Sequence, residues 1–286
     1  MNQKHIALFL AAIMLMSVFS FFLSSILSDD SNGEQNTDAI EAPGFDSISG
    51  AHMNADLNSI EDGLKITPDG VNTVSYINYR EVYGTPLQIL APNITELYST
   101  YGSMITVRYS AYNMSGNFAF EGHKINPEVI NFQYATTEQP YNGYYLLTRN
   151  EQFYNVVGTP MLLGGKDSLK QVIDVSSGNA ASSDDFDKIL SYTESGAQYQ
   201  MLSSDDVLAE QHYLEFRNLE DGMYGRTEIF LEPADSVLEN IETLQASSAE
   251  RGLAYDFTVY EEEDVAVVEI TANETNFYNL AMERFE

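Results

Sequence analysis

Apolar and polar positions divide the chain into three regimes. Ile6 to Ser28, IALFLAAIMLMSVFSFFLSSILS, is one run without a charge; Asp29 to Asp62 has no sustained apolar period; and from about Ile66 short alternating and helix-spaced segments follow one another to the C-terminus. A helix rises 1.5 Å per residue, so the first regime is long enough to cross a bilayer core of roughly 30 Å. It predicts a membrane helix. The second regime, rich in Asp, Asn, Ser and Gly, predicts a mobile acidic stalk.

The third regime reads as a succession of hairpins and helices. Val71 to Tyr83 alternates as a strand after the turn Pro68-Asp69-Gly70, and Asn93 to Tyr101 is a short helix between Pro92 and Gly102. Met104 to Ala111 is a second strand. Val129 to Tyr134 and Tyr144 to Thr148 predict a hairpin around Glu138 to Gly143, and Phe153 to Val157 another strand. Lys166 to Val175 and Asp184 to Glu194 have helical spacing, the latter with Ser182-Ser183-Asp184-Asp185 placed to cap it. Ala197 to Leu202 is a strand, His212 to Leu219 and Tyr224 to Leu231 a hairpin, Asp235 to Arg251 a helix closed by Gly252, Tyr255 to Tyr260 and Val265 to Thr271 a second hairpin, and Glu274 to Arg284 a final helix.

Antiparallel hairpins alternating with helices predict an α+β fold, antiparallel sheets with helices on one face. The segments Gly84-Thr85-Pro86-Leu87 and Gly158-Thr159-Pro160-Met161 echo each other and suggest two related halves, each ferredoxin-like. The expected organisation is residues 1–28 as signal anchor, 29–62 as linker, 63–163 as the first half and 164–286 as the second.

Charge sets the address. All 43 acidic residues and 12 of the 13 basic ones lie beyond residue 28, and Lys4 stands on one flank of the apolar run with Asp29, Asp30 and Glu34 on the other. The positive-inside tendency then leaves the N-terminus in the cytoplasm and the acidic part outside the cell. The apolar run exceeds the 7–15 residues of a signal-peptide core and its exit is a poor cleavage match, which favours a retained anchor over a removed signal. A net charge of −30 repels phosphates, so nucleic acid is excluded as a partner. With no cysteine, neither disulfides nor a lipid-modified Cys hold the protein; 44% hydrophobic residues, with 19 Tyr and 15 Phe, supply a core instead.

The stretch Val156 to Met201, VVGTPMLLGGKDSLKQVIDVSSGNAASSDDFDKILSYTESGAQYQM, resembles uncharacterised families of exported, N-terminally anchored bacterial and archaeal proteins. In these a strand and a Gly-Pro turn lead to a helix, a Ser/Asp-capped helix and another strand. The resemblance implies an anchored extracytoplasmic domain and no particular activity.

Candidate chemistry is sparse. Gly164-Gly165-Lys166-Asp167 lacks a P-loop's first Gly, where Pro160 stands, and its Ser or Thr, where Asp167 stands, so no nucleotide is expected. His5, His52, His123 and His212 are assigned to membrane flank, linker, loop and strand, without zinc spacing. Asp184, Asp185 and Asp187 are calcium candidates that compete with a capping role, as do Glu261, Glu262, Glu263 and Asp264 with a solvated hairpin tip. Glu210 with Glu215, or Glu228 with Glu232, are conceivable acid/base pairs. Tyr76, Tyr79, Tyr83, Tyr109 and Tyr112, and Tyr141, Tyr144 and Tyr145, are read as core in preference to a sugar-stacking surface. Asn93, Asn113 and Asn273 open glycosylation sequons. No cofactor is expected. The function this supports is a non-enzymatic binding or structural module at the cell surface, its partner an unidentified surface protein or glycan; the alternative is an exported carboxylate-dependent hydrolase or glycan-processing enzyme.

Overall fold

The computed structural model describes residues 42–285 apart from 114, 150, 151, 205 and 206. The run Ile6 to Ser28 and the first part of the linker lie outside the described residues.

Among the described residues there are fourteen strands: β1 (Met53–Asn54), β2 (Thr73–Asn78), β3 (Met104–Asn113), β4 (Phe118–Asn126), β5 (Ala135–Thr136), β6 (Leu146–Thr148), β7 (Tyr154–Val156), β8 (Gly158–Thr159), β9 (Met161–Gly164), β10 (Tyr199–Ser204), β11 (Ala209–Asn218), β12 (Met223–Pro233), β13 (Ala254–Tyr260) and β14 (Val265–Asn273). The helices are α1 (Ile60–Leu64), α2 (Tyr79–Val82), α3 (Ile94–Ser99), α4 (Lys166–Ser176), α5 (Asp187–Leu190), α6 (Asp235–Ala246) and α7 (Phe277–Met282). Twelve strands form one sheet in the order β13-β14-β12-β11-β10-β2-β3-β4-β9-β7-β6-β5, and β1 pairs parallel with β8 beside it.

Strand parity divides the core between the two faces of this sheet. On β12, Ile229 and Leu231 join one buried cluster while Phe230 joins the other; on β14, Val265 joins the first while Ala266, Val268 and Ile270 join the second. The first face is covered by α1 (Ile60, Leu64), α4 (Leu169, Val172, Ile173) and α5 (Ile189, Leu190). The second is covered by α2 (Tyr79, Val82), α3 (Leu97), α6 (Val237, Ile241) and α7 (Phe277, Leu280). The fold is therefore α+β and antiparallel, as expected, but its helices cover both faces of one continuous sheet. Two separate ferredoxin-like halves are not seen: that plan runs β-α-β-β-α-β, whereas β2-β3-β4 and β10-β11-β12 are meanders of successive strands within one continuous sheet.

Outward from the β2–β10 pair the two sides repeat one plan. β2, β3 and β4 form a meander followed by β9 with β7 outside it; β10, β11 and β12 form a meander followed by β14 with β13 outside it. The Gly-Thr-Pro echo does not mark this repetition. Both copies lie on the β2 side, where Pro86 opens a 3-10 turn (Pro86–Leu90) and Pro160 lies between β8 and β9. Helix α4, expected to open the second half, packs on β4, β7 and β9 and so belongs with the first side.

The described end of the expected stalk, residues 42–62, is packed. Ala51, Met53 and Ala55 donate backbone hydrogen bonds to Gly143, Val157 and Thr159, and Leu57 and Ile60 are 0% exposed. Its apolar residues are set among polar ones, yet Met53, Leu57 and Ile60 join the cluster on the first face and Ile48 joins a third, smaller cluster. Other segments differ from expectation as well: Val129 to Tyr134, expected as a strand, is irregular, and only Ala135–Thr136 after it pairs with β6. Phe118 to Asn126 is a central strand; β2 stops at Asn78 and turns into α2; and the helix expected over Asp184 to Glu194 is confined to α5, with no side-chain cap.

Leu57→Ala is expected to lower the stability measured by chemical denaturation by about 2–5 kcal/mol. A stalk residue would change it by less than about 0.5 kcal/mol.

Candidate functional site

The chain's few cations point to its most concentrated chemistry. Arg108 interrupts the apolar alternation of β3, and Arg226 that of β12; each faces the second side of the sheet, beside a buried glutamate and a buried histidine. Glu121 on β4 lies opposite Ser110, the residue after Tyr109, and Glu228 on β12 lies opposite Leu214, the residue after Tyr213. The two glutamates thus occupy the same register position in the two repeated meanders.

In the first cluster the Arg108 Nε is 3.7 Å from Glu121 Oε1, and His123 Nε2 is 2.9 Å from Glu121 Oε2. The Asn155 side-chain amide donates to the Tyr101 hydroxyl at 3.3 Å, and that hydroxyl bonds His123 Nδ1 at 2.8 Å. In the second cluster His212 Nε2 donates to Glu228 Oε2 at 2.7 Å and Arg226 Nε to Glu228 Oε1 at 2.7 Å, while Phe230 stacks on the imidazole at 4.7 Å. Arg226 also donates to the Leu280 carbonyl at 2.9 Å, which ties α7 to the sheet.

Burial by itself disfavours a charged Glu121, but Arg108 and then His123 outweigh it and hold the carboxyl below its ordinary range. Glu228 is likewise held down against burial by Arg226 and His212. Glu215, on the opposite face, differs. Burial pushes it up although it accepts hydrogen bonds from Tyr213 and Arg217 at 2.7 Å each. Burial also raises the Tyr79 phenol beside the first cluster to about 12.

These groups are the closest approach to catalytic chemistry among the residues described, and they are sealed: Glu121, His123, Glu215 and Glu228 are each 3% exposed or less. A substrate would have to part the sheet to reach them. They act as internal polar ties, each carboxylate answered by an arginine.

An open feature lies on the first face. A groove of about 420 Å3 is lined by Glu61, Leu64, Lys65, Ser182, Ser183, Asp184, Asp187, Leu190 and Ser191. Asp184 and Asp187 flank it. Asp185 instead accepts from the Gly70 amide and the Ser183 hydroxyl at 3.3 Å, and Ser183 donates its own amide to Thr67. The Ser/Asp loop thus stitches the approach to β10 onto the approach to β2 and does not cap a helix. Among the described residues no three His, Asp or Glu side chains are gathered so that they could hold a metal ion.

The other sequence candidates are dispersed. Gly164 pairs with Phe120 so closely that a Cβ would stand 2.9 Å from the Ala119 carbonyl; close strand packing accounts for this glycine. His52 bonds the Ile48 carbonyl at 2.8 Å, and His123 is in a strand, not a loop. Glu228 is not joined to Glu232, whose carboxyl is raised by its neighbour Glu210 at the surface. Tyr76, Tyr79, Tyr109 and Tyr112 are buried, whereas Tyr141 donates to Asp174 at 2.8 Å. Asn93 and Asn273 accept backbone amides at the starts of α3 and of a 3-10 turn (Glu274–Asn276), and Asn113 accepts from the Gly116 amide. Glu261 to Asp264 form the exposed β13–β14 turn.

Glu121→Gln and Glu228→Gln are each expected to cost about 3 kcal/mol at pH 7, since each leaves a buried cation unanswered. Because both carboxyls are held below their ordinary value when folded, their contribution is complete above that value and fades as the pH falls through the lower, folded one. Denaturation at pH 7 and at about pH 3 should show the difference from wild type shrinking in acid.

Comparison with known proteins gives partial matches. Residues 56–177 match the AF_2048_N family N-terminal domain, a span that runs from just before α1 to just beyond the end of α4. No curated protein matches the chain. Among solved structures, crystal form III of TP0453 is 11% identical with a TM-score of 0.48, covering 76% of this chain and 96% of that one. Crystal form IV of TP0453 is 10% identical with a TM-score of 0.47, covering 84% of this chain and 99% of that one.

Proposed function

We propose that the chain is a membrane-tethered, extracytoplasmic acidic module that binds or organises other components at the cell surface without catalysing a reaction. The observation that carries this reading is the disposition of its carboxylates. Those in catalytic-looking company, Glu121, Glu215 and Glu228, are closed inside the sheet and answered by arginines, while the exposed ones are spread over the surface, among them those of an open groove and of the β13–β14 turn. Groups so committed stabilise a fold. They are not presented to a substrate.

The tether follows from the uncharged run Ile6 to Ser28, and the outward address from Lys4 on one flank against Asp29, Asp30 and Glu34 on the other. No helix among the described residues is long and apolar enough to cross a membrane, so the proposed crossing falls to that run. An acidic surface with a groove bearing Glu61, Asp184 and Asp187 is suited to a partner with a basic patch.

Fractionated cells test this reading. The protein should stay with membranes through alkaline carbonate, leave them only in detergent, and lose its acidic part when intact cells are treated with protease. Recovery in the soluble fraction without detergent, or full protection from external protease, would contradict it.

A further inference from the structure

The two ends of the large sheet are finished differently. At one end, β7 is covered by β6, and the sheet closes with β5, which is only two residues long. At the other end β13 holds the topological position of β7, is seven residues long, and among the described residues pairs only with β14. Short strands, lysines, prolines and bulges are the usual protections of a sheet edge. β13 has none of them: it reads AYDFTVY, its pairing with β14 is unbroken from Ala254 to Tyr260, and Asp256 is its one charge in a chain that is 20% charged. Val259 is 41% exposed and Tyr260 43%.

We infer that β13 is a pairing edge through which two copies of this chain join their sheets, antiparallel and about a two-fold axis at Phe257. Self-complementarity selects the second copy as occupant. With the seven residues fully overlapped, Asp256 stands opposite Thr258 and Tyr255 opposite Val259 of the second copy, so the strand's one charge meets no like charge and its large residues face one another. A parallel arrangement would instead set the two Glu261-Glu262-Glu263-Asp264 turns side by side. An isologous contact of this kind closes on itself, so it stops at two copies. The chain's net charge of −30 opposes the approach, and added salt screens that repulsion while leaving backbone pairing intact.

The test is sedimentation of the full-length protein in a mild non-ionic detergent, with sodium chloride raised from 0.15 M to about 2 M, a range over which screening becomes nearly complete. A monomer–dimer equilibrium that shifts toward dimer with salt is expected. Thr258 is exposed, so both T258D and T258K retain the fold; T258D sets carboxylates face to face twice and should weaken the dimer roughly tenfold, whereas T258K meets Asp256 and should tighten it. A wild-type protein that stays monomeric throughout, or two variants that move the equilibrium in the same direction, overturns the inference. A second measurement uses the chain's lack of cysteine: in membranes, Asp256→Cys and Thr258→Cys proteins should form a disulfide when mixed and not separately. No cross-link in the mixture also overturns it.

Discussion

The pairing of β2 with β10 is the constraint on which the rest of this structure depends. Thr73 to Ile77 lie antiparallel to Tyr199 to Ser203, and every other strand of the large sheet is added outward from that seam. Without it, each side would end in an unpaired inner strand. With it, both hydrophobic clusters run across the junction: Val74 and Tyr76 share one with Leu202 and Tyr213, and Ile77 shares the other with Phe216 and Phe230. Side chains reinforce the seam. Gln200 accepts the Ile60 amide at 2.9 Å and donates to the Tyr213 hydroxyl at 2.8 Å, so one β10 residue ties α1 to β11 across β2. Gln198 reaches Glu81 beyond the other end of the pairing at 3.0 Å.

A sheet covered on both faces has no solvent side on which its central strands can place polar residues. That explains why Glu121 and Glu228 need Arg108 and Arg226: a buried carboxylate costs several kcal/mol unless a cation and hydrogen bonds answer it. Both glutamates sit at the same register position, although the histidine is on β4 in one cluster and on β11 in the other. A repeated meander that keeps its buried acid while exchanging the strands of its partners is what two copies of one plan would show after separate repacking. The surface acids are subject to no such demand, and they are spread over turns, loops and the groove rim.

Helix α6 was legible from its period, since one face of it is wet, and the β11–β12 and β13–β14 hairpins from the turn residues Glu220-Asp221-Gly222 and Glu261 to Asp264 that punctuate them. Strand β4 was missed because both its faces are buried, and its polar members, Glu121 and His123, mimic a loop. The alternation of Phe118 with Phe120 was the available signal, as was an arginine in mid-strand at Arg108. Tyr79 to Val82 is rich in strand-forming residues yet folds as α2, because packing on β3 overrides propensity. Residues 42–62 gave no sustained period because the alternation of Ala51, Met53, Ala55 and Leu57 is brief and embedded in polar sequence. The acidic candidates Asp184, Asp185 and Asp187 were read for capping or calcium, and only their backbone neighbours Thr67 and Gly70 reveal the loop's actual partner.

If the seam is what makes one domain of two repeated sides, its amides must open only when everything opens. Native-state hydrogen exchange reads this directly. The account predicts that amides of Thr73 to Ile77 and Tyr199 to Ser203 fall in the most protected class, with the same opening free energy as those of β3 and β11. Seam amides that exchange through a lower-energy opening, while β3 and β11 remain protected, would show two separately folding domains that merely touch, and would contradict it.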